Sequence, residues 1–189
     1  MIRTEHLAKQ PPLKTARTRL VPMGPRFFPQ VWRSLADREV NRLTGTHQSF
    51  TEEQVRQHLE RLPARDDRAD WAIIRTEDGS YLGEVVLNDL DRDNESMNYR
   101  ISLRGLDVAG QGYGTEAGQA VINFGLGVIG LHRISLGVYA FNERAIKSYT
   151  KIGFRHEGVL RHALQWEGQW YDEIVMAVLA PGAEDDEQQ

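Results

Sequence analysis

The chain has 189 residues, a formal net charge of -4 and no cysteine. That length fits one domain with a core able to stand without covalent staples. The missing cysteines exclude disulfides, cysteine-based metal sites and a thiol nucleophile, and the mild acidity argues against a general nucleic-acid binder.

Residues 1–14 read as a flexible lead, without the apolar core of a secretory signal and punctuated by Pro11-Pro12. Thr18–Met23 reads as a short strand, and a helix starts near Pro25. Thr51 followed by Gln54 is a capping box; Val55, Leu59 and Leu62 then recur at helical spacing until Pro63 stops the run. The period changes at "DWAIIRTEDGSYLGEVVLNDLD", which reads as two strands about a turn at Asp78-Gly79. Ser96–Leu103 is a third strand. A glycine loop follows, then a helix from Gly112 to Val128 with Ala117, Val121, Phe124 and Val128 on one face. "HRISLGVYA" is a strand. Asn142 is placed as an N-cap with Glu143 in the first turn, and Gly153 ends that helix.

The last 26 residues before Ala180 read as two strands around Glu167-Gly168, and 181–189 as an acidic disordered tail. The run Ala120–Phe141 is weakly polar but carries Asn123, His132 and Arg133, so it reads as helix then strand rather than a membrane span, and the cytoplasm is the expected location. The order predicts an α/β (α+β) fold for residues 15–180, with a mixed, mostly antiparallel twisted sheet flanked by helices.

The stretch "AGQGYGTEAG", Ala109 to Gly118, leaves several readings open. Gly112 to Ala117 satisfies G-x-G-x-x-A, but a dinucleotide loop follows directly on a strand and has a ribose-binding acid about 20 residues on. Here the strand ends about eight residues earlier, and Arg133–Val138 offers no acid. A triphosphate loop needs Gly-Lys-Ser or Gly-Lys-Thr, which the chain lacks. What remains is an anion site at a helix N-terminus, with Thr115 adding a hydroxyl, or a turn that only reverses the chain.

Downstream, "N-x-x-A-x-x-x-Y-x-x-x-G-F" begins at Asn142. Paired with "GQGYGTEA", it resembles the GNAT acetyltransferase superfamily. "TARTRLVPM" and "EGVLRHALQWEGQWYDEIVM" resemble its branch of ribosomal-protein N-terminal acetyltransferases. The resemblance spans about Thr15 to Leu179. It implies acetyl-coenzyme A (acetyl-CoA) as donor, a primary amine as acceptor and no metal. The leading acceptor is a protein or peptide N-terminal α-amine. A small-molecule amine such as an antibiotic, amino sugar or polyamine is the alternative, and a non-catalytic acyl-CoA-binding module is a different class. No nucleic acid or membrane partner is expected; a homodimer is.

The same resemblance gives residue roles. Backbone N–H groups of Gln111, Gly112, Tyr113, Gly114 and Thr115 would hold the coenzyme diphosphate. Ile101, Ser102 and Leu103 would pair with the pantetheine arm. Asn142 would meet the cofactor near the thioester, Tyr149 would stand by the sulfur, and Lys147 is either a phosphate contact or a solvated charge. Many relatives carry Arg or Gln three residues before the first motif glycine; here that residue is Ala109, and Arg104 is the candidate substitute.

Acyl transfer from a thioester needs a neutral amine, a stabilised carbonyl oxygen and a proton for the thiolate. Tyr149, with an unperturbed pKa of roughly 10, nearly matches an alkyl thiol as that proton donor; its spacing with Ala145 and Ile152 equally fits a core tyrosine. A backbone N–H at a bulge in the third strand is the expected oxyanion donor. Related enzymes often have a glutamate base in the strand that here reads "SMNYRIS", where Asn98 cannot serve. Glu84 is the nearest alternative; Asp172, His162 and water are the others. The six histidines show no metal-ligand spacing. Trp166 and Trp170 flank the last turn as packing, cleft or subunit-contact residues.

Overall fold

In the computed structural model, residues 2–183 are described. Eight strands form one sheet: β1 (Leu13–Lys14), β2 (Thr18–Pro22), β3 (Ala69–Arg75), β4 (Tyr81–Asp91), β5 (Ser96–Leu103), β6 (Arg133–Tyr139), β7 (Arg155–Trp166) and β8 (Gln169–Leu179), in spatial order 1-2-3-4-5-6-8-7. Neighbours are antiparallel except β5 and β6, which are parallel. The helices are α1 (Glu5–Ala8), α2 (Phe28–Leu35), α3 (Arg38–Thr44), α4 (Glu52–Arg61), α5 (Tyr113–Asn123) and α6 (Glu143–Ile152).

Strand alternation divides the core in two. Trp71, Ile73, Val85, Leu87, Met97 and Tyr99 pack with Ala117 and Val121 of α5 and Ile152 of α6. On the other side Ala72 and Ile74 pack with Phe28 of α2 and Val55 and Leu59 of α4. Each large apolar side chain removed from water contributes about 1.5–3 kcal/mol, so these clusters fix both helix layers on the sheet.

The local signals act as their chemistry requires. Gln54 N–H donates to Thr51 Oγ1 at 3.2 Å and Thr51 N–H to Gln54 Oε1 at 2.8 Å, closing the capping box. Asn142 Oδ1 accepts from Ala145 N–H at 3.2 Å. Gly153, at φ 111, ends α6 while Phe154 N–H turns back to Tyr149 O at 3.0 Å.

Three expectations are corrected. The helix expected to reach Val128 is α-helical only to Asn123 and continues as a π-helical stretch, Phe124–Ile129. The wider turn adds a residue, so Ile129 rather than Val128 follows Phe124 into the core: Ile129 is 0% exposed and Val128 39%. The segment read as a flexible lead is packed against the domain. Leu7 is buried, Arg3 N–H donates to Ile129 O at 2.8 Å, and the Trp71 indole donates to Pro11 O at 2.8 Å. Helix α3 was not expected; Asp37 caps it, accepting from Glu39 N–H at 2.9 Å and Val40 N–H at 3.0 Å. Residues 184–189 of the expected acidic tail lie outside the described residues.

One feature of the sheet positions the site. β5 and β6 pair only at Ser96–Arg133, Met97–Ile134 and Asn98–Ser135. Past Asn98, β5 continues beside β4 to Leu103, while β6 continues beside β8 to Tyr139. The two strands diverge, and β5 from Tyr99 onward has no strand on that side.

Candidate active site

A cleft of about 810 Å³ occupies this wedge. Ile101, Ser102 and Leu103 form one wall from β5. Asn142, which caps α6, and Lys147 and Tyr149 within it line the other side, and Gly112, Gly114 and Thr115 of the glycine loop and first turn of α5 also line the cleft.

The glycine loop opens α5 without a side-chain cap. Gly112 sits at φ 86, where a Cβ is strained, and Glu116 N–H is the first to turn back, to Gly112 O at 3.0 Å. The N–H groups of Tyr113, Gly114 and Thr115 therefore head the helix with no helical acceptor. Thr115 Oγ1 bonds Ser148 Oγ at 2.7 Å, tying α5 to α6.

The side chains of Gln111, Tyr113 and Arg104 lie elsewhere. Gln111 Nε2 donates to Asp107 O at 2.7 Å. The Tyr113 ring is buried beneath the Arg17 guanidinium, 4.6 Å from its centroid. Arg104 pairs with Asp107 at 2.6 Å and does not itself line the cleft, although its neighbours Leu103 and Gly105 do. Lys147 is exposed, 3.7 Å from Glu143.

Tyr149 is both a core tyrosine and a cleft residue. Its ring meets Tyr99 edge-on at 6.0 Å and Phe154 at 5.9 Å, while part of it lines the cleft. Burial pushes its pKa up to about 12. The near match to a thiol expected from the sequence is thereby lost: the proton is held through the ordinary pH range, and handing it over is harder than from an unperturbed tyrosine.

Beneath it, Tyr99 Oη is buried without a protein partner. It reaches α5 because Gly118 has no side chain; a Cβ there would stand 2.7 Å from the oxygen. Removing an unsatisfied buried hydroxyl while keeping the ring relieves a desolvation cost of about 1 kcal/mol or more. Tyr99→Phe is thus expected to raise Tm by about 2–4 °C. A thermal melt showing a lower Tm would contradict the unpaired hydroxyl.

Of the candidate bases, Glu84 and Asn98 line the cleft, whereas Asp172 and His162 do not. Burial raises the Glu84 carboxyl above the usual range and the charge of Asp70 adds to this, while Arg100 and Arg68 oppose it. Asn98 donates to Asn88 Oδ1 at 3.2 Å. Asp172 accepts from His162 N–H at 2.9 Å within the β7–β8 hairpin. Trp166 stacks on His47 and Trp170 on His162, both away from the cleft. The expected bulge in β5 is not found: β5 is in even register with β4 from Asn98 to Leu103, and the register shift falls between Asn88 and Asp91 of β4.

Sequence reasoning missed Glu173 and Arg100, which also line the cleft. Glu173 lies against the backbone of Gly137 on the neighbouring strand; a Cβ at 137 would stand 1.9 Å from its Oε1. Only the β6–β8 pairing brings these two residues together, and no local motif announces it. Among the described residues, no three His, Asp or Glu gather as a metal site, and no helix is long and apolar enough to cross a membrane.

The sequence profile of the acetyltransferase (GNAT) domain matches residues 17–155. The chain belongs to the GNAT acetyltransferase family. This GNAT chain is 32% identical over 136 residues to the probable N-acetyltransferase YjcK of Bacillus subtilis, covering 71% of this chain and 72% of that one. It is 29% identical over 112 residues to the spermidine N(1)-acetyltransferase of Escherichia coli K12, covering 59% of this chain and 60% of that one. Its fold matches a GNAT acetyltransferase from Bacillus anthracis with TM-score 0.76 at 22% identity, over 89% of this chain and 98% of the other. It also matches the spermidine N-acetyltransferase from Vibrio cholerae, solved with CoA and spermine, with TM-score 0.80 at 16% identity, over 87% and 96%. The eight-stranded, mostly antiparallel sheet with flanking helices is the GNAT fold, and this GNAT protein is an acetyl-CoA-dependent N-acetyltransferase.

Proposed function

We propose that the enzyme acetylates a primary amine by direct transfer, with the donor laid in the β5–β6 wedge. The carrying observation is the wedge itself: an unpaired strand edge, a bare helix N-terminus at one end and Tyr149 on its wall. When bound, acetyl-CoA supplies the acetyl group and accepts the departing electron pair on sulfur. The N–H groups of residues 111–115 receive its diphosphate, for which Gly112 and Gly114 leave space. The free edge of Ile101–Leu103 pairs with the pantetheine amides as a partner strand would. Asn142 holds α6 in place beside the thioester, and Lys147 steers phosphate from the rim.

Glu84 removes a proton from the acceptor ammonium, directly or through water, and its raised pKa suits it to that task. The neutral amine attacks, a C–N bond forms, the nitrogen gives up its second proton to solvent, and the C–S bond breaks. Tyr149 O–H stabilises the thiolate as it leaves and delivers its proton, which solvent then replaces.

For the acceptor, an N-terminal α-amine rests on the flanking sequences at 15–23 and 157–176. A second reading, a small cationic amine, rests on Glu84 and Glu173, two carboxylates lining the cleft, and on the similarity to a spermidine acetyltransferase. On the same reading the enzyme works in the cytoplasm, and the exposed Val159, Leu160 and Trp170 of the β7–β8 hairpin are where a homodimer would form. Thiol release from acetyl-CoA over peptides, polyamines and amino sugars tests the activity; no release with any amine refutes it. With the preferred acceptor, Glu84→Gln is expected to lower kcat/KM about 10²-fold near neutral pH. The defect should shrink at high pH, where the amine is already neutral. An unchanged profile removes Glu84 as the base.

A further inference from the structure

Ala109 cannot donate to a phosphate, and Arg104 is engaged by Asp107. The cation found at the glycine loop comes from the turn between β1 and β2, 94 residues before Gln111. Arg17 Nη1 donates to Gln111 O at 3.1 Å, and Arg17 Nε to Glu116 Oε2 at 2.9 Å. Arg17 N–H donates to Glu116 Oε1 at 2.7 Å, and Thr15 Oγ1 bonds the same carboxylate. The guanidinium lies over Tyr113, and Nη2 stands 3.1 Å from where a Cβ of Gly112 would be. One side chain thus touches the loop at residues 111, 112, 113 and 116.

We propose that Arg17 is the positioning residue of the diphosphate site. It ties the start of the loop at Gln111 to Glu116 of α5 and so fixes the intervening residues, of which Gly112, Gly114 and Thr115 line the cleft. The inference rests on the acetyl-CoA reading above. A loop this rich in glycine is costly to order, and a preordered loop spares the ligand that cost. The guanidinium suits the task because its planar fork bonds a carboxylate and a carbonyl together while its face covers a ring; a lysine ammonium serves as a point charge only. Arg17 is half-exposed, at 49%, so its replacement leaves the core intact.

The test compares donors with and without the diphosphate. CoA affinity is measured by calorimetry, and kcat/KM is measured with acetyl-CoA and with S-acetylpantetheine, which ends before the diphosphate. Arg17→Ala is expected to weaken CoA binding about tenfold or more, the loss typical of a charge-assisted bond, while kcat/KM for S-acetylpantetheine stays within about twofold of wild type. Arg17→Lys should fall between, keeping charge but losing the fork. If Arg17→Ala does not fold, Arg17→Lys and Glu116→Gln carry the comparison with the same donor selectivity. Equal losses with both donors would show a merely structural role and overturn the proposal, as would unchanged CoA affinity. Wild-type protein that binds no CoA overturns the acetyl-CoA reading itself, an outcome visible before any variant is compared.

Discussion

Tyr149→Phe is expected to cut kcat about 10²-fold, with KM for acetyl-CoA nearly unchanged, because a positioned acid contributes about 10²–10⁴-fold and the ring that packs on Tyr99 and Phe154 is retained. The pH profile carries a second expectation. Burial holds the phenol pKa at about 12, so the proton is present throughout the ordinary assay range. The rate should climb as the acceptor amine loses its proton and then level off, with no alkaline fall below about pH 11. An ordinary tyrosine acid would begin to fail near pH 10. Thiol release followed from pH 6 to 10.5 distinguishes the two. A Tyr149→Phe rate equal to wild type would leave Tyr149 with only its packing role.

Gly114→Val is expected to weaken CoA binding about tenfold or more with little loss of stability, in line with the loss of a charge-assisted bond. Gly114 lines the cleft, and its Cβ position meets only Ile101 Cδ1 at 3.6 Å and Leu103 Cδ1 at 3.7 Å, ordinary contacts. The new branches would then enter the part of the cleft proposed above for the diphosphate. Gly112→Val would also block the site, but φ 86 makes it strained and Arg17 Nη2 stands 3.1 Å from the Cβ position, so it confounds binding with loop damage. Calorimetry with CoA, paired with a thermal melt, reads both quantities. Unchanged affinity in a folded Gly114→Val protein would return the glycine loop to a simple chain reversal.

Much of the fold was legible because its signals are local. Ser96–Leu103 is a strand over just those residues, and Thr51, Asn142 and Gly153 announce helix ends through contacts within five residues. The π-helical stretch was not legible, since its sequence keeps a plausible α-helical face and only packing shows that Ile129, not Val128, turns inward. Helix α3 is seven residues long, too short for its periodicity to register, although Asp37 was a usable cap signal. Two motifs singled out the glycine loop and α6, which the fold brings to one cleft, but the charges around that cleft were not readable. Arg17 meets Glu116 across 99 residues, and Glu173 meets Gly137 across a strand pair. Such encounters depend on topology, which spacing along one chain does not encode.

The divergence of β5 from β6 has a mechanical side. Within the sheet, strands one to five and strands six to eight are joined by three residue pairs at one end of the parallel seam. The sheet is in effect two plates on a short hinge, with the gap widening toward Leu103 and Tyr139. A ligand in the gap would touch both plates, so its binding is expected to slow amide exchange on both sides of the seam together.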